Sequence, residues 1–67
     1  VLITMLRNRR MRISGDYESA TIWSADGIMV AQDITGNDIV ELDTLPGGIY
    51  IVMATTKAGP VTKKIAL

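Results

Sequence analysis

The sequence predicts a small all-β domain, built as a sandwich of six or seven short antiparallel strands. The chain has 67 residues, which is enough for one domain at most. Residues that favour turns recur about every ten positions, a spacing typical of sandwiches and barrels. The segments between them alternate apolar and polar side chains, and two packed sheets would bury one face of each. The turn signals are Gly15-Asp16, Asp26-Gly27, Gly36-Asn37-Asp38, Pro46-Gly47-Gly48 and Ala58-Gly59-Pro60.

The first segments set the domain boundary. Val1–Leu6 is either a first strand or a linker, so residues 1–10 are interpreted as linker or first strand and residues 11–67 as the domain. Met11 and Ile13 alternate with arginines and a serine, which predicts a strand. In the next segment, Ala20–Ser24, alternate side chains face opposite sides: Ala20 and Ile22 one way, Thr21 and Trp23 the other.

Two shorter segments follow. Ile28–Ile34 is predicted as a strand with Ile28, Val30 and Ile34 on one face. Ile39–Asp43 alternates cleanly, with Val40 and Leu42 inward and Glu41 and Asp43 outward. This is the pattern of an antiparallel strand with one buried face.

The last two segments are the most apolar. Ile49–Thr55 is apolar on both faces and is predicted to be a central strand. Tyr50 in this strand carries a hydroxyl that can reach backbone, which is compatible with an immunoglobulin-like sandwich. Val61–Leu67 closes the domain with Val61, Ile65 and Leu67 inward. Lys63 shares that inward face, so we expect it at a sheet edge where its stem can snorkel to water.

Composition excludes several kinds of chemistry. The chain has no cysteine and no histidine, so disulfides, Cys/His zinc sites and catalysis by either residue are ruled out. Glu41 and Asp43 share an exposed strand face, but a domain this small is expected to have little room for a cleft. No catalytic, cofactor-binding or metal-binding residue is predicted, and the chain is not expected to be an enzyme. Asp33, Asn37 and Asp38 cluster around one turn, but such residues usually bind their own backbone rather than calcium.

The charges are segregated along the chain although their sum is zero. One interpretation is that they keep the surface and edges soluble; the other is that the two basic ends meet and form a docking face. Nucleic-acid binding is not expected, because no aromatic side chains are interleaved with the arginines. Arginines 7, 9, 10 and 12 lie at the start, all seven acids lie between, and Lys57, Lys63 and Lys64 lie near the end.

Two features favour a piece of a longer protein. The chain begins at Val1 with no visible signal peptide. No apolar run approaches the roughly 20 residues that span a bilayer.

Three stretches of the sequence match motifs that occur together in one known family. Ala20–Val30 (ATIWSADGIMV) is similar to the hairpin V-x-I-Y-D-x-x-G-x-x-V, with Trp23 in the aromatic place. Val40–Val52 (VELDTLPGGIYIV) is similar to I-x-L-x-x-L-P-x-G-x-Y-x-V, and Val61–Leu67 (VTKKIAL) to the terminal x-x-K-K-I-x-V strand. The order and spacing of the three also fit, so roughly residues 11–67 resemble the type A C-terminal sorting domain of the type IX secretion system of Bacteroidetes. The Asn-Pro motif that often opens the family is absent from residues 1–10.

The resemblance implies an immunoglobulin-like β-sandwich that acts as an address rather than a catalyst. Its partners would be the outer-membrane translocon, a sortase-like cysteine peptidase that removes it and attaches the cargo to the cell surface, and the upstream cargo domain. The protein would pass through the periplasm to the outer membrane, the cell surface or the medium. A structural role for the same motif residues is the main alternative. The expected recognition residues are Leu45, Pro46, Gly47, Gly48, Lys63, Lys64, Ile65, Ala66 and Leu67.

Two other functions remain open from the sequence. An immunoglobulin-like accessory module that binds carbohydrate or protein at the cell surface would need an exposed aromatic platform, and only Trp23 and Tyr17 could form one. Self-assembly by strand exchange into a homodimer is the second possibility, with Val1–Leu6 as the suspected segment.

Overall fold

The computed structural model describes residues 1–35 and 39–67. The turn predicted at Gly36-Asn37-Asp38 lies outside these residues, as do Asn37 and Asp38 of the candidate calcium cluster. The described residues form strands and turns, and none of them belongs to a helix long and apolar enough to cross a membrane. The seven described strands are β1 (Leu2–Leu6), β2 (Arg10–Ser14), β3 (Ser19–Ser24), β4 (Met29–Ile34), β5 (Ile39–Glu41), β6 (Ile49–Thr56) and β7 (Gly59–Ala66).

The strands form two antiparallel sheets, which confirms the predicted all-β sandwich. The smaller sheet has the order β1-β2-β5 and the larger the order β4-β3-β6-β7. β6 therefore lies between β3 and β7, as its two apolar faces predict. β2 next to β5, and β3 next to β6 next to β7, is the strand neighbourhood of an immunoglobulin-like sandwich.

Tyr50 supplies a second immunoglobulin-like feature. It is only 5% exposed and lies at the start of β6, just after the connection from the smaller sheet. Its hydroxyl donates a hydrogen bond to the carbonyl of Pro46, 2.7 Å away and four residues upstream. A tyrosine at this corner that bonds upstream backbone is characteristic of such sandwiches, because it fixes the chain as it passes from one sheet to the other.

The core lies between the two sheets. Ile22 and Val52 come from the larger sheet, and both are fully shielded from solvent. Directly opposed residues of antiparallel strands share a face, so the pairings Ile3↔Ile13 and Ile22↔Val52 place each pair on the inner side of its sheet. The buried residues are Ile3, Met11, Ile13, Ala20, Ile22, Leu42, Tyr50, Val52, Ala54 and Ile65.

The apolar face predicted for Ile28–Ile34 is only partly buried. Val30 and Ile34 pack against the core, whereas Ile28 is 61% exposed. Ile28 belongs to the turn, because its amide bonds Ser24 Oγ (3.2 Å) and its carbonyl accepts from the Ser24 amide (2.8 Å). β4 then pairs with β3 through two register shifts. A bulge inserts an unpaired residue and breaks the two-residue alternation on which the prediction depends.

The first residues form part of the sandwich. Of the two alternatives for residues 1–10, Leu2–Leu6 forms strand β1, paired with β2 along its whole length. Ile3 within it is 3% exposed and belongs to the core. The boundary between residues 1–10 and residues 11–67 stays a prediction.

Candidate recognition surface

The nine residues expected to be recognised come from two separate stretches, and the structure brings these together at one end of the sandwich. Gly48 donates to the carbonyl of Leu67 over 3.1 Å, and Leu67 donates to the carbonyl of Gly48 over 2.8 Å. The next pair along is Ile49 with Ala66. We call this end, formed by residues 45–48 and 63–67, the terminal surface.

Contacts with the core, with Leu42 and with Tyr50 hold the Leu45–Gly48 turn in place. The Leu45 side chain packs against the core, and its amide donates to the Leu42 carbonyl over 3.1 Å. The hydroxyl of Tyr50 binds the Pro46 carbonyl. Gly48 has φ of +150°, a conformation that side chains disfavour. Pro46, Gly47 and Gly48 are exposed, so the turn is both fixed and accessible.

Arg9 contacts the terminal surface, although the sequence does not reveal this contact. Its guanidinium donates a hydrogen bond to the carbonyl of Leu45, and its own carbonyl accepts from the amide of Leu42 over 2.8 Å. It reaches that point from the β1–β2 turn, where Asn8 and Arg9 have φ of 60° and 56°. Three residues, Arg7 to Arg9, connect the paired Leu6 and Arg10, and positive φ is disfavoured in residues other than glycine. Finding Arg9 from sequence would require knowing that β2 pairs with β5.

The two terminal lysines lie on opposite faces of the edge strand β7. Lys63 is opposite Val52, which is buried, and Lys64 is opposite Ile51 on the outer face. Both lysines are exposed. The predicted position of Lys63, on the inward face but at a sheet edge, is therefore confirmed.

The remaining residues of the terminal surface divide between core and solvent. Ile65 is 3% exposed and belongs to the core, so it serves packing rather than direct contact. Leu67 is partly buried against that core, whereas Ala66 is exposed.

The basic residues only partly converge. Arg9 reaches the terminal surface, but Lys57 lies in the turn between β6 and β7, at the far end of both strands. Arg10 pairs instead with Glu41 across β2 and β5, with 3.6 Å between Nε and Oε1. Both side chains are largely exposed, and such pairs contribute little stability.

An open hollow lies at the far end of the sandwich. Its volume is about 750 Å³, and its charged lining residues are Asp16, Glu18 and Lys57. Among the described residues, no three aspartate or glutamate side chains lie close enough together to hold a metal ion. The strand predicted over Ile39–Asp43 ends at Glu41, and Asp43 lies in the turn that follows. Neither acid lines this hollow.

The outer face of the larger sheet carries an apolar row. Trp23 is paired with Met29 on one side and with Ile51 on the other, and Ile51 is paired with Lys64. Trp23 points away from the core, as its alternation predicts, and is half-buried. Tyr17 packs against the core instead. The described aromatic side chains thus do not share one platform.

Comparison with known proteins gives no match that bears on these geometric findings. No family model, curated protein or solved structure matches the chain.

Proposed function

We propose that this chain is a C-terminal secretion signal of the type IX system. In this role it directs an upstream cargo domain across the outer membrane. The translocon reads the terminal surface, and a sortase-like cysteine peptidase then removes the domain and attaches the cargo to the cell surface. The domain itself performs no chemistry.

The observation that carries the proposal is the joining of two motif stretches by the Gly48–Leu67 hydrogen bonds. The L-P-x-G turn and the K-K-I-x-L strand end are separated by fourteen residues in the sequence, counted from Gly48 to Lys63. In the fold they make one continuous surface with exposed lysines and an exposed turn. A single partner can therefore read both stretches at once, which gives a physical reason for the two to occur together.

The test is the localisation of a reporter. The 67 residues are fused to the C-terminus of a periplasm-targeted fluorescent protein, in a bacterium with a type IX apparatus and in a translocon-deficient strain. Surface or medium signal in the competent strain alone is the expected result. Signal that stays in the periplasm of both strains, from a folded fusion, would overturn the proposal.

A pair of lysine variants separates recognition from folding. The double variant Lys63→Ala/Lys64→Ala removes exposed charges without touching the core, so the fusion is expected to fold and to remain in the periplasm. Lys57→Ala removes an exposed lysine at the other end of the sandwich and is expected to leave export unchanged. Truncation of residues 63–67 is a poorer test, because it removes the buried Ile65.

A second candidate function is an accessory module that binds carbohydrate through the row around Trp23. It is favoured by the outward position of Trp23 between Met29 and Ile51. Flat aromatic faces bind the apolar faces of sugars. Titration with soluble glycans should then quench the fluorescence of Trp23, the only tryptophan, and an unchanged spectrum would dismiss this candidate.

A further inference from the structure

The outer edge of β7 is open. β7 is the last strand of the larger sheet, with no described strand on its other side. Its pairing with β6 runs without a bulge from Ile49↔Ala66 to Thr56↔Gly59. A regular edge strand presents a row of unpaired N–H and C=O groups, which is a template for another strand.

The register identifies which backbone groups face outward. Gly48 and Leu67 exchange both of their hydrogen bonds. In an antiparallel ladder such pairs alternate with pairs that exchange none. Counting back from Leu67, the residues Val61, Lys63 and Ile65 bond to β6, whereas Thr62, Lys64 and Ala66 direct their N–H and C=O groups to the open side.

Pro60 agrees with this assignment. It lies opposite Thr55, in a pair that exchanges no hydrogen bonds. The N–H that proline lacks would therefore have pointed outward, so the ladder with β6 loses nothing.

The lysines determine the chemistry of an added strand. Lys63 projects on the inner side of the sheet and Lys64 on the outer side, at successive positions. Both are exposed, and neither belongs to a described salt bridge. An added strand therefore meets a positive charge on each of its two faces, and opposite charges at directly facing positions stabilise a pair of strands. Two adjacent acidic residues satisfy both lysines.

The same charges disfavour a second copy of this chain at this edge. If residues 62–66 of two copies overlap fully in the antiparallel direction, Lys64 lies directly opposite Lys64. Like charges at facing positions are destabilising. The other open edge of the larger sheet is β4, whose two register shifts interrupt a regular template.

We propose that the β7 edge binds an extended acidic segment of another protein, which adds to the larger sheet as a fifth strand. Thr62, Lys64 and Ala66 supply the backbone hydrogen bonds, and Lys63 and Lys64 select for adjacent glutamates or aspartates. This binding activity is a property of the isolated domain in solution, and it goes beyond the proposed export function.

The test uses a labelled synthetic peptide about as long as β7, which has 8 residues. The peptide carries acetyl and amide ends and two adjacent glutamates between valines and threonines. Fluorescence anisotropy should show saturable binding to the 67-residue domain. The variant Lys63→Glu/Lys64→Glu should bind about tenfold more weakly, and a peptide with two lysines in place of the glutamates should prefer that variant. Lys57→Glu, at the far end, should bind the acidic peptide like the parent.

Backbone methylation provides a test that leaves the protein unchanged. The amides of an added strand face β7 and solvent alternately. Methylation of one alternate set should abolish binding, and methylation of the other set should leave it intact. In hydrogen exchange followed by NMR, the amides of Thr62, Lys64 and Ala66 should become protected when the acidic peptide binds.

Three results would overturn the proposal. They are an absence of saturable binding to the folded domain, equal affinity of the parent and the charge-reversed variant, and protection that appears on β1 or β4 instead. None of these bears on the export assay, which reads localisation in cells. Export without peptide binding would reject strand addition alone, and peptide binding without export would reject the sorting role alone.

Discussion

The hydroxyl of Tyr50 lies 2.7 Å from the carbonyl oxygen of Pro46 and donates a hydrogen bond to it. This contact ties the start of the central strand to the turn that precedes it. The same turn is bonded to Leu67 through Gly48 and to the guanidinium of Arg9. Strand β6, the chain end and the β1–β2 turn therefore all depend on the position of one short loop.

Tyr50→Phe is expected to lower the free energy of unfolding by about 1 kcal/mol, because it removes one hydrogen bond from a part-buried site and keeps the ring. Ser14→Ala is the control. It removes an exposed bond of 3.4 Å to the Leu2 carbonyl and should cost less than about 0.5 kcal/mol. Urea unfolding followed by Trp23 fluorescence measures both. Equal costs for the two variants would contradict a fixing role for Tyr50.

Ile22→Val and Ile28→Val make the same chemical change on either side of one turn. Ile22 is fully buried, so its variant should lose about 0.5–1.5 kcal/mol. Ile28 is 61% exposed, so its variant should stay within about 0.5 kcal/mol of the parent. Comparison of the two unfolding midpoints tests the turn assignment of Ile28 directly. A comparable loss at both positions would mean that Ile28 packs inward.

Gly48→Ala and Gly47→Ala separate backbone conformation from crowding in the turn. Gly48 has φ of +150° and open space around a Cβ, so the cost of alanine, about 1–2 kcal/mol, would come from the backbone alone. At Gly47 a Cβ would lie 3.4 Å from the Leu67 carbonyl oxygen, an ordinary contact, and the cost should be smaller. Thermal unfolding gives the order, and faster exchange of the Leu67 amide should accompany Gly48→Ala only. The reverse order would reject the assigned conformation.

Arg9→Gly is expected to be more stable than Arg9→Ala by about 1 kcal/mol. Both variants lose the hydrogen bond to Leu45, but only glycine adopts φ of 56° without a steric cost. Arg12, in the middle of β2, should give the opposite order, because glycine weakens a strand. Denaturant titrations of the four variants measure both differences. If alanine were the more stable replacement at both positions, Arg9 would have no left-handed conformation.

The sequence was sufficient for the architecture because the apolar alternation is uninterrupted where the strands are regular. In β2, Met11 and Ile13 are buried, as their alternation with polar residues predicts. The pattern fails at β4, where bulges shift the register of its pairing with β3. A bulge has no reliable signal in a single sequence, since it depends on the partner strand.

The sequence predicts which residues form the terminal surface, but it does not predict that the two stretches lie side by side. The nine residues come from motif resemblance, and the joining of the two stretches requires the pairing of β6 with β7. Arg9 was missed because it acts over a separation of 36 residues. Ile65 shows the converse: a motif residue in the recognition set whose side chain faces the core.

The shifts in β4 also limit how the domain behaves in crowded surroundings. Endless growth of the larger sheet would require β7 of one molecule to pair along β4 of the next, and Asp33 at φ of 57° interrupts a continuous ladder there. Head-to-tail stacking of this sheet into a fibre is therefore disfavoured. The domain can for this reason keep the β7 edge open even where many copies of it are close together.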